Sequence, residues 1–357
     1  MMLQSFATAI FMISAAIQAS GVTVPITDAL VHGLVTINVG AGNYMLIVDS
    51  GSANTWVGAK TPYQPGPNSK DTGETVTVHY GSGNFSGKVF LDNVDLSSEL
   101  VVSGQSIGVA KTSTGFNDVD GVLGLGPSDL SSGTTSGGGV VPTVTENLFT
   151  EGAINSNLVA ISLEPSTSTH EGEIIGEISF GEVDSSKYTG DINYTPITLT
   201  SPASTFWGLD ASFQYGASRA NVLSTTAGII DHTTSLLLLA TDAFKDFQKL
   251  TGATPDTNTG LLKVPSTETL ESLFFQVKEV TYEITANALI WPRALNSIIG
   301  GEAAGIYLVV GDHGSPSGSG LDFVIGYSIL RRFYTVLDTG NHRIGIATTP
   351  HTHDTTN

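Results

Sequence analysis

One pattern, an apolar strand that ends in aspartate, a small polar turn and a second apolar run, occurs twice in this chain, about half its length apart. The first copy is Leu46-Ile47-Val48-Asp49-Ser50-Gly51-Ser52, followed by Trp56-Val57. The second is Gly228-Ile229-Ile230-Asp231-His232-Thr233-Thr234, followed by Leu236-Leu237-Leu238. Runs rich in Val, Ile and Leu that stop at Asp, Ser or Gly read as buried strands turning sharply at their ends. Each copy thus places a carboxylate at a rigid strand-to-turn junction. A lone Asp there could do no more than accept turn hydrogen bonds. Two in matched contexts, spaced as a duplicated two-lobe architecture requires, point to a paired-carboxylate site.

The rest of the chain is consistent with an all-β protein. It has 357 residues, 40% hydrophobic, enough for a large core or two, and 41 glycines separating many short Val/Ile/Thr/Tyr/Phe runs. Helical spacing is clearest in Ala240–Leu250, with Phe244 and Phe247 on one face, Thr241 or Asp242 as cap and Gly252 beyond the end. A second short helix is expected over Val144–Glu151. The Ser/Thr/Gly-rich stretch Ser128–Gly139 reads as a surface loop.

The net charge is −19, with only 14 Lys and Arg, which argues against a nucleic-acid partner. It suits a protein working in acid, where many of its 33 carboxylates are protonated. With no Cys there are no disulfides or thiolate sites, and the eight His show no metal-ligand spacing, so neither metal nor cofactor is expected. The apolar run Phe6–Ile17 is too short for a membrane span. Residues 1–19 read as a signal peptide, although the usual basic start is missing, and secretion is expected with a vacuolar location as the alternative. No Lys or Arg precedes Lys60, so no basic pro-segment is expected within this sequence.

Further segments accompany the aspartate pair. Thr77-Val78-His79-Tyr80-Gly81-Ser82-Gly83-Asn84-Phe85-Ser86-Gly87 has the form of a hairpin with a Tyr near its tip. Gly121-Val122-Leu123-Gly124 and Phe323-Val324-Ile325-Gly326 supply one apolar-to-Gly segment per half, and Trp56 follows the first motif. In this ordered set, from about Val22 to Thr349, the chain resembles the pepsin-like aspartic endopeptidases, in particular the secreted basidiomycete type.

That resemblance implies a bilobal double β-barrel with a few short helices and the active site in the cleft between lobes. The turn-rich Gly181–Gly190 resembles the inter-lobe crossing. It sets an N-terminal lobe at 20–190, a C-terminal lobe at 191–348 and a polar tail at 349–357. Asp49 and Asp231 would be the catalytic dyad of a monomer that binds a polypeptide in the cleft. Ser52 and Thr234 would hold the outer carboxylate oxygens, Gly51 would offer its N–H to an inner one, and Ser50 would form half of a hydroxyl lock between the loops. Tyr80, Gly81 and Ser82 would form a flap that fixes the substrate backbone and excludes water. Two close carboxylates share one proton across acidic pH, the established behaviour of aspartic-protease dyads. The ionised one activates a water and the protonated one donates to the scissile carbonyl.

The second motif departs from the family pattern, Asp-Thr-Gly-Thr or Asp-Thr-Gly-Ser. His232 puts an imidazole where a compact hydroxyl is expected, and Thr233 puts a β-branched side chain where glycine lets the loops approach. On this reading the imidazole is too large for its site, and its cation lowers the dyad pKa values in acid. Two outcomes follow: a weakened protease, or a peptide-binding pseudoenzyme. A non-proteolytic binder has no dedicated aromatic platform in its support. The literal Asp-Thr-Gly triplets at Asp71 and Asp338 read as a loop and a hairpin turn. Asn84 and Asn193 are glycan acceptor sequences, neither assigned as used.

Overall fold

The computed structural model describes residues 22–81, 83–165 and 172–356. The expected signal peptide and Ser82 lie outside these residues. The repeated motif folds the same way twice. Gly42–Asp49 runs parallel to Gly121–Gly124 with Asp49 opposite Gly124, and Ala220–Asp231 runs parallel to Phe323–Gly326 with Asp231 opposite Gly326. The apolar run after each aspartate lies antiparallel on the other side: Trp56–Val57 beside the first segment, Leu237–Leu239 beside the second. Glycine ends both segments because the chain passes between two close backbones. A Cβ on Gly124 would overlap the backbone of Ala53, and one on Gly326 the carbonyl oxygens of Thr234 and Leu236.

Two lobes grow from these crossings, and a shared base joins them. The base has the strand order Thr189–Pro196, Arg343–Thr348, Phe333–Asp338, Leu158–Leu163, Ile174–Phe180 and Val22–Asp28, so it draws on both halves of the chain. Its central register sets Thr335 opposite Ile161. Val24, Ile26, Val48, Ile161, Leu163 and Ile329 are buried in one continuous core, and their burial stabilises by about 2 kcal/mol each. Trp207, in the second half, donates through Nε1 to the Leu125 carbonyl of the first at 2.9 Å. That bond pins the lobes together beside the dyad.

Both expected helices form, with one difference in capping. The helix at Thr241–Thr251 has Ala240 as N-cap without a side-chain hydrogen bond, because the Asp242 carboxylate accepts from Ser317 instead. Its end is as expected, with Gly252 in the left-handed region at φ 66°. The helix Val144–Thr150 opens with a capping box between Thr143 and Glu146.

The two literal triplets lie away from the cleft. Asp338 closes a hairpin and accepts from Asn341 and from Arg343 at 2.7 Å. Asp71 is not in a loop: it lies in the strand Lys70–Tyr80, beside a bulge, paired with Lys88 at 2.6 Å. The run Ser128–Gly139 is tied to that strand, since Thr77 N–H donates to the Thr134 carbonyl.

Candidate active site

Asp49 and Asp231 end their strands facing one another at the floor of a cleft that His32, Tyr80, Gly81 and Phe116 also line. Asp49 is held from both sides of its carboxylate. Gly51 N–H and Ser52 N–H donate to Oδ1 at 2.7 and 3.1 Å, and the Ser52 hydroxyl donates to Oδ2. Asp231 has a matching set: Thr233 N–H donates to Oδ1 at 2.9 Å and the Thr234 hydroxyl to Oδ2 at 2.6 Å. The loops are in close contact, for a Cβ on Gly51 would stand 2.9 Å from Asp231 Oδ1. Burial first, then the charge of Asp231, pushes the Asp49 carboxyl up to about 7, against the pull of bonds from Ser52 and Gly51.

His232 and Thr233 do not hold the loops apart, contrary to the expectation from residue size. The imidazole is 2% exposed and, with Ile26, Gly33, Val48, Ile161, Leu163 and Tyr327, lines a small enclosed niche behind the loop. Ser50 Oγ accepts from His232 N–H at 3.0 Å and lies 2.9 Å from Nδ1, while Thr335 Oγ1 lies 3.2 Å from Nε2. A neutral ring with its proton on Nε2 satisfies every atom: Ser50 donates to Nδ1, and Nε2–H donates to Thr335. The lock thus persists as serine and imidazole rather than two hydroxyls. Burial pushes the His232 pKa down to about 4, with the charge of Asp231 opposing, so the cation expected from sequence is confined to strong acid.

Thr233 adds a contact as well as keeping its backbone bond. Its Oγ1 lies 2.7 Å from Asp231 Oδ1 and 3.2 Å from Asp49 Oδ1. The two inner oxygens are therefore no more than two hydrogen bonds apart.

The hairpin of Lys70–Tyr80 and Gly83–Asp95 overhangs the cleft, with Tyr80 paired to Gly83. Tyr80 Oη accepts from Trp56 Nε1 at 2.8 Å, and both rings pack edge-on against Phe116. Burial and the charge of Asp49 raise the Tyr80 pKa, keeping the phenol protonated. Gly81 lines the cleft.

The family model for eukaryotic aspartyl proteases matches residues 33–349. The chain belongs to that family. Polyporopepsin from Irpex lacteus is 52% identical over 94% of this chain and 99% of its own length. Cathepsin E from Mus musculus is 27% identical over 90% of this chain and 80% of its own. The crystal structure of the Irpex lacteus aspartic proteinase superposes with a TM-score of 0.92 at 51% identity, over 95% of this chain and all of that one. The fold is the bilobal pepsin-like one, and the chain is of the aspartic-type endopeptidase class. Among its described residues no helix is long and apolar enough to cross a membrane.

Two features of this aspartyl protease were missed in the sequence. His32, from the turn between the first two strands, lines the cleft beside Asp231, and its Nδ1 is buried with no hydrogen-bond partner. Burial lowers its pKa against the opposing pull of Asp231 and of the Thr233 backbone. Phe116 supports the flap from a loop nearly forty residues away. Neither carries a sequence signal, because each is defined only by what it meets across the cleft.

Proposed function

We propose that this aspartyl protease hydrolyses peptide bonds of polypeptides in the inter-lobe cleft, at acidic pH, by a water activated between Asp49 and Asp231. The observation that carries the reading is the matched pair of hydrogen-bond sets that holds both carboxylates face to face. With one shared proton, the ionised carboxylate takes a proton from the water and the other donates to the scissile carbonyl oxygen, giving a neutral tetrahedral intermediate. Return of these protons expels the amine, and no acyl-enzyme forms. Ser52 and Thr234 orient the outer oxygens, Gly51 and Thr233 N–H the inner ones, and Ser50 with His232 locks the loops. Tyr80, Gly81 and Ser82 close over the substrate.

The protein is read as a secreted monomer, with lobes at 20–190 and 191–348, a signal peptide at 1–19 and no nucleic-acid partner. Its acidic balance fits work in acid, where self-repulsion falls. The test is digestion of unfolded casein from pH 3 to 8. Cleavage should be blocked by a statine-type transition-state mimic, be absent in Asp49→Asn and Asp231→Asn, and fail as pH rises through about 7, where Asp49 loses its proton. Saturable peptide binding with no turnover, even at high enzyme concentration, would replace this reading with that of a peptide-binding pseudoenzyme.

A further inference from the structure

The second active loop carries a hydroxyl that the family pattern does not provide. Thr233 Oγ1 is in hydrogen-bond reach of the inner oxygens of both carboxylates, at 2.7 Å from Asp231 and 3.2 Å from Asp49. A hydroxyl has one proton to donate and lone pairs to accept with. Placed between two carboxylates, it cannot donate fully to both. The shorter distance marks donation to Asp231, which leaves the lone pairs to face Asp49. That side is favourable only when Asp49 carries the shared proton and donates it back. The chain then runs from acid to hydroxyl and from hydroxyl to carboxylate, at an Asp49 oxygen that Gly51 and Ser52 N–H also reach.

We propose that Thr233 is a positioning residue of the dyad, its hydroxyl linking the protonated Asp49 to the ionised Asp231. The inference rests on the two-carboxylate reading above and deepens it. A proton can cross the pair by entering the hydroxyl oxygen from one carboxyl as the hydroxyl proton leaves for the other. Thr233 is neutral before and after, and no bond to carbon changes. The link stabilises the singly protonated pair relative to both neighbouring states. With both groups protonated, the hydroxyl donates to a neutral oxygen, a weaker acceptor. With both ionised, its lone pairs face a negative charge. The singly protonated window is therefore wider than it would be without the hydroxyl, at its acid and its basic edge.

Other titratable groups around this point are His32 beside Asp231, His79 and Tyr80 on the flap, and His232 behind the loop. They face the dyad alike whether residue 233 carries a hydroxyl or not. Comparing substitutions at that one position cancels their contribution.

The experiment compares Thr233→Val, which keeps the branched shape without the hydroxyl, with Thr233→Ser, which keeps the hydroxyl. The pH profile of kcat/KM is measured for each, together with a carboxyl ¹³C NMR titration of aspartate-labelled protein referenced to Asp49→Asn. Thr233→Val should bring both limbs of the bell inward by at least half a pH unit, with the NMR midpoints of the pair converging equally. Thr233→Ser should restore the parent positions. If Thr233→Val folds poorly, Thr233→Ala supplies the hydroxyl-free arm. Unchanged limbs in the hydroxyl-free variant, or an equal loss of activity in Val and Ser with limbs in place, would overturn the proposal and leave Thr233 a packing residue. The NMR arm needs no turnover, so its result stands even if the parent cleaves nothing, the outcome that would sink the protease reading instead.

Discussion

Replacing His232 by Asn tests whether a buried neutral imidazole locks the two active loops. Asn retains a hydrogen-bonding side chain but cannot titrate. The folded protein holds His232 at about 4, whereas in the unfolded chain a His titrates near 6.5. The unfolded state therefore binds the proton more readily, and falling pH favours unfolding. The penalty is absent above pH 6.5, reaches about 2 kcal/mol at pH 5 and about 3 kcal/mol at pH 4, and levels off below that. Its structural cause is the burial of the ring, which penalises the cation, with the charge of Asp231 opposing; a second ring proton would also sit on Nδ1, facing Ser50. The assay is urea unfolding of parent and variant at pH 7, 5 and 4. Asn forfeits the contact with Thr335 and some packing, so the variant should be the less stable at pH 7. That deficit is independent of pH. The variant should then recover about 2 to 3 kcal/mol relative to the parent between pH 7 and pH 4. Stability curves that stay parallel over this range would refute the reasoning, because His232 would then be ionising in the fold at an ordinary pKa.

Two shorter predictions concern the frame and the flap. Gly326→Ala should destabilise the fold by about 3 kcal/mol in the same assay, since the new methyl overlaps the Thr234 and Leu236 carbonyls; a loss below about 1 kcal/mol would mean that the crossing has slack. Tyr80→Phe removes the acceptor of the Trp56 indole N–H and should lower kcat/KM about fivefold, the worth of about 1 kcal/mol. A parental kcat/KM would show that the flap is held by ring packing alone.

How far the sequence could be read depended on whether a feature was carried by the chain or by its return on itself. Asp49 and Asp231 were legible because each ends an apolar strand at a turn, a local pattern, and because the pattern recurs. The partner glycines Gly124 and Gly326 were legible for the same reason. His232 was misjudged because its fit depends on a niche built by Ile26, Gly33, Ile161 and Tyr327, four residues scattered over most of the chain. Gly33 is telling: a Cβ there would press on Ile26, so one wall of the niche depends on a residue far from His232 in sequence. The expected helix cap by Thr241 or Asp242 failed in a similar way, since Asp242 is engaged by Ser317 and Thr241 by Asp312, both distant in sequence. His32 was unreadable, as nothing in Ala29-Leu30-Val31-His32 says that the turn leans toward Asp231.

The two loops arose from one pattern but have different room around them, and that difference bears on how the carboxylates divide their work. At Gly51 a side chain would press on the Asp231 carboxylate, so that position can offer only its backbone. At Thr233, the matching position, a side chain is present and turns its hydroxyl onto both inner oxygens. Asp49 receives two backbone N–H groups and the hydroxyl of Ser52, while Asp231 receives one N–H and two hydroxyls. A symmetric pair would leave its proton equally content on either side. Here deep burial of Asp49 favours its neutral acid. On the two-carboxylate reading proposed above, that bias assigns Asp49 as the acid toward the scissile carbonyl and Asp231 as the base toward the water.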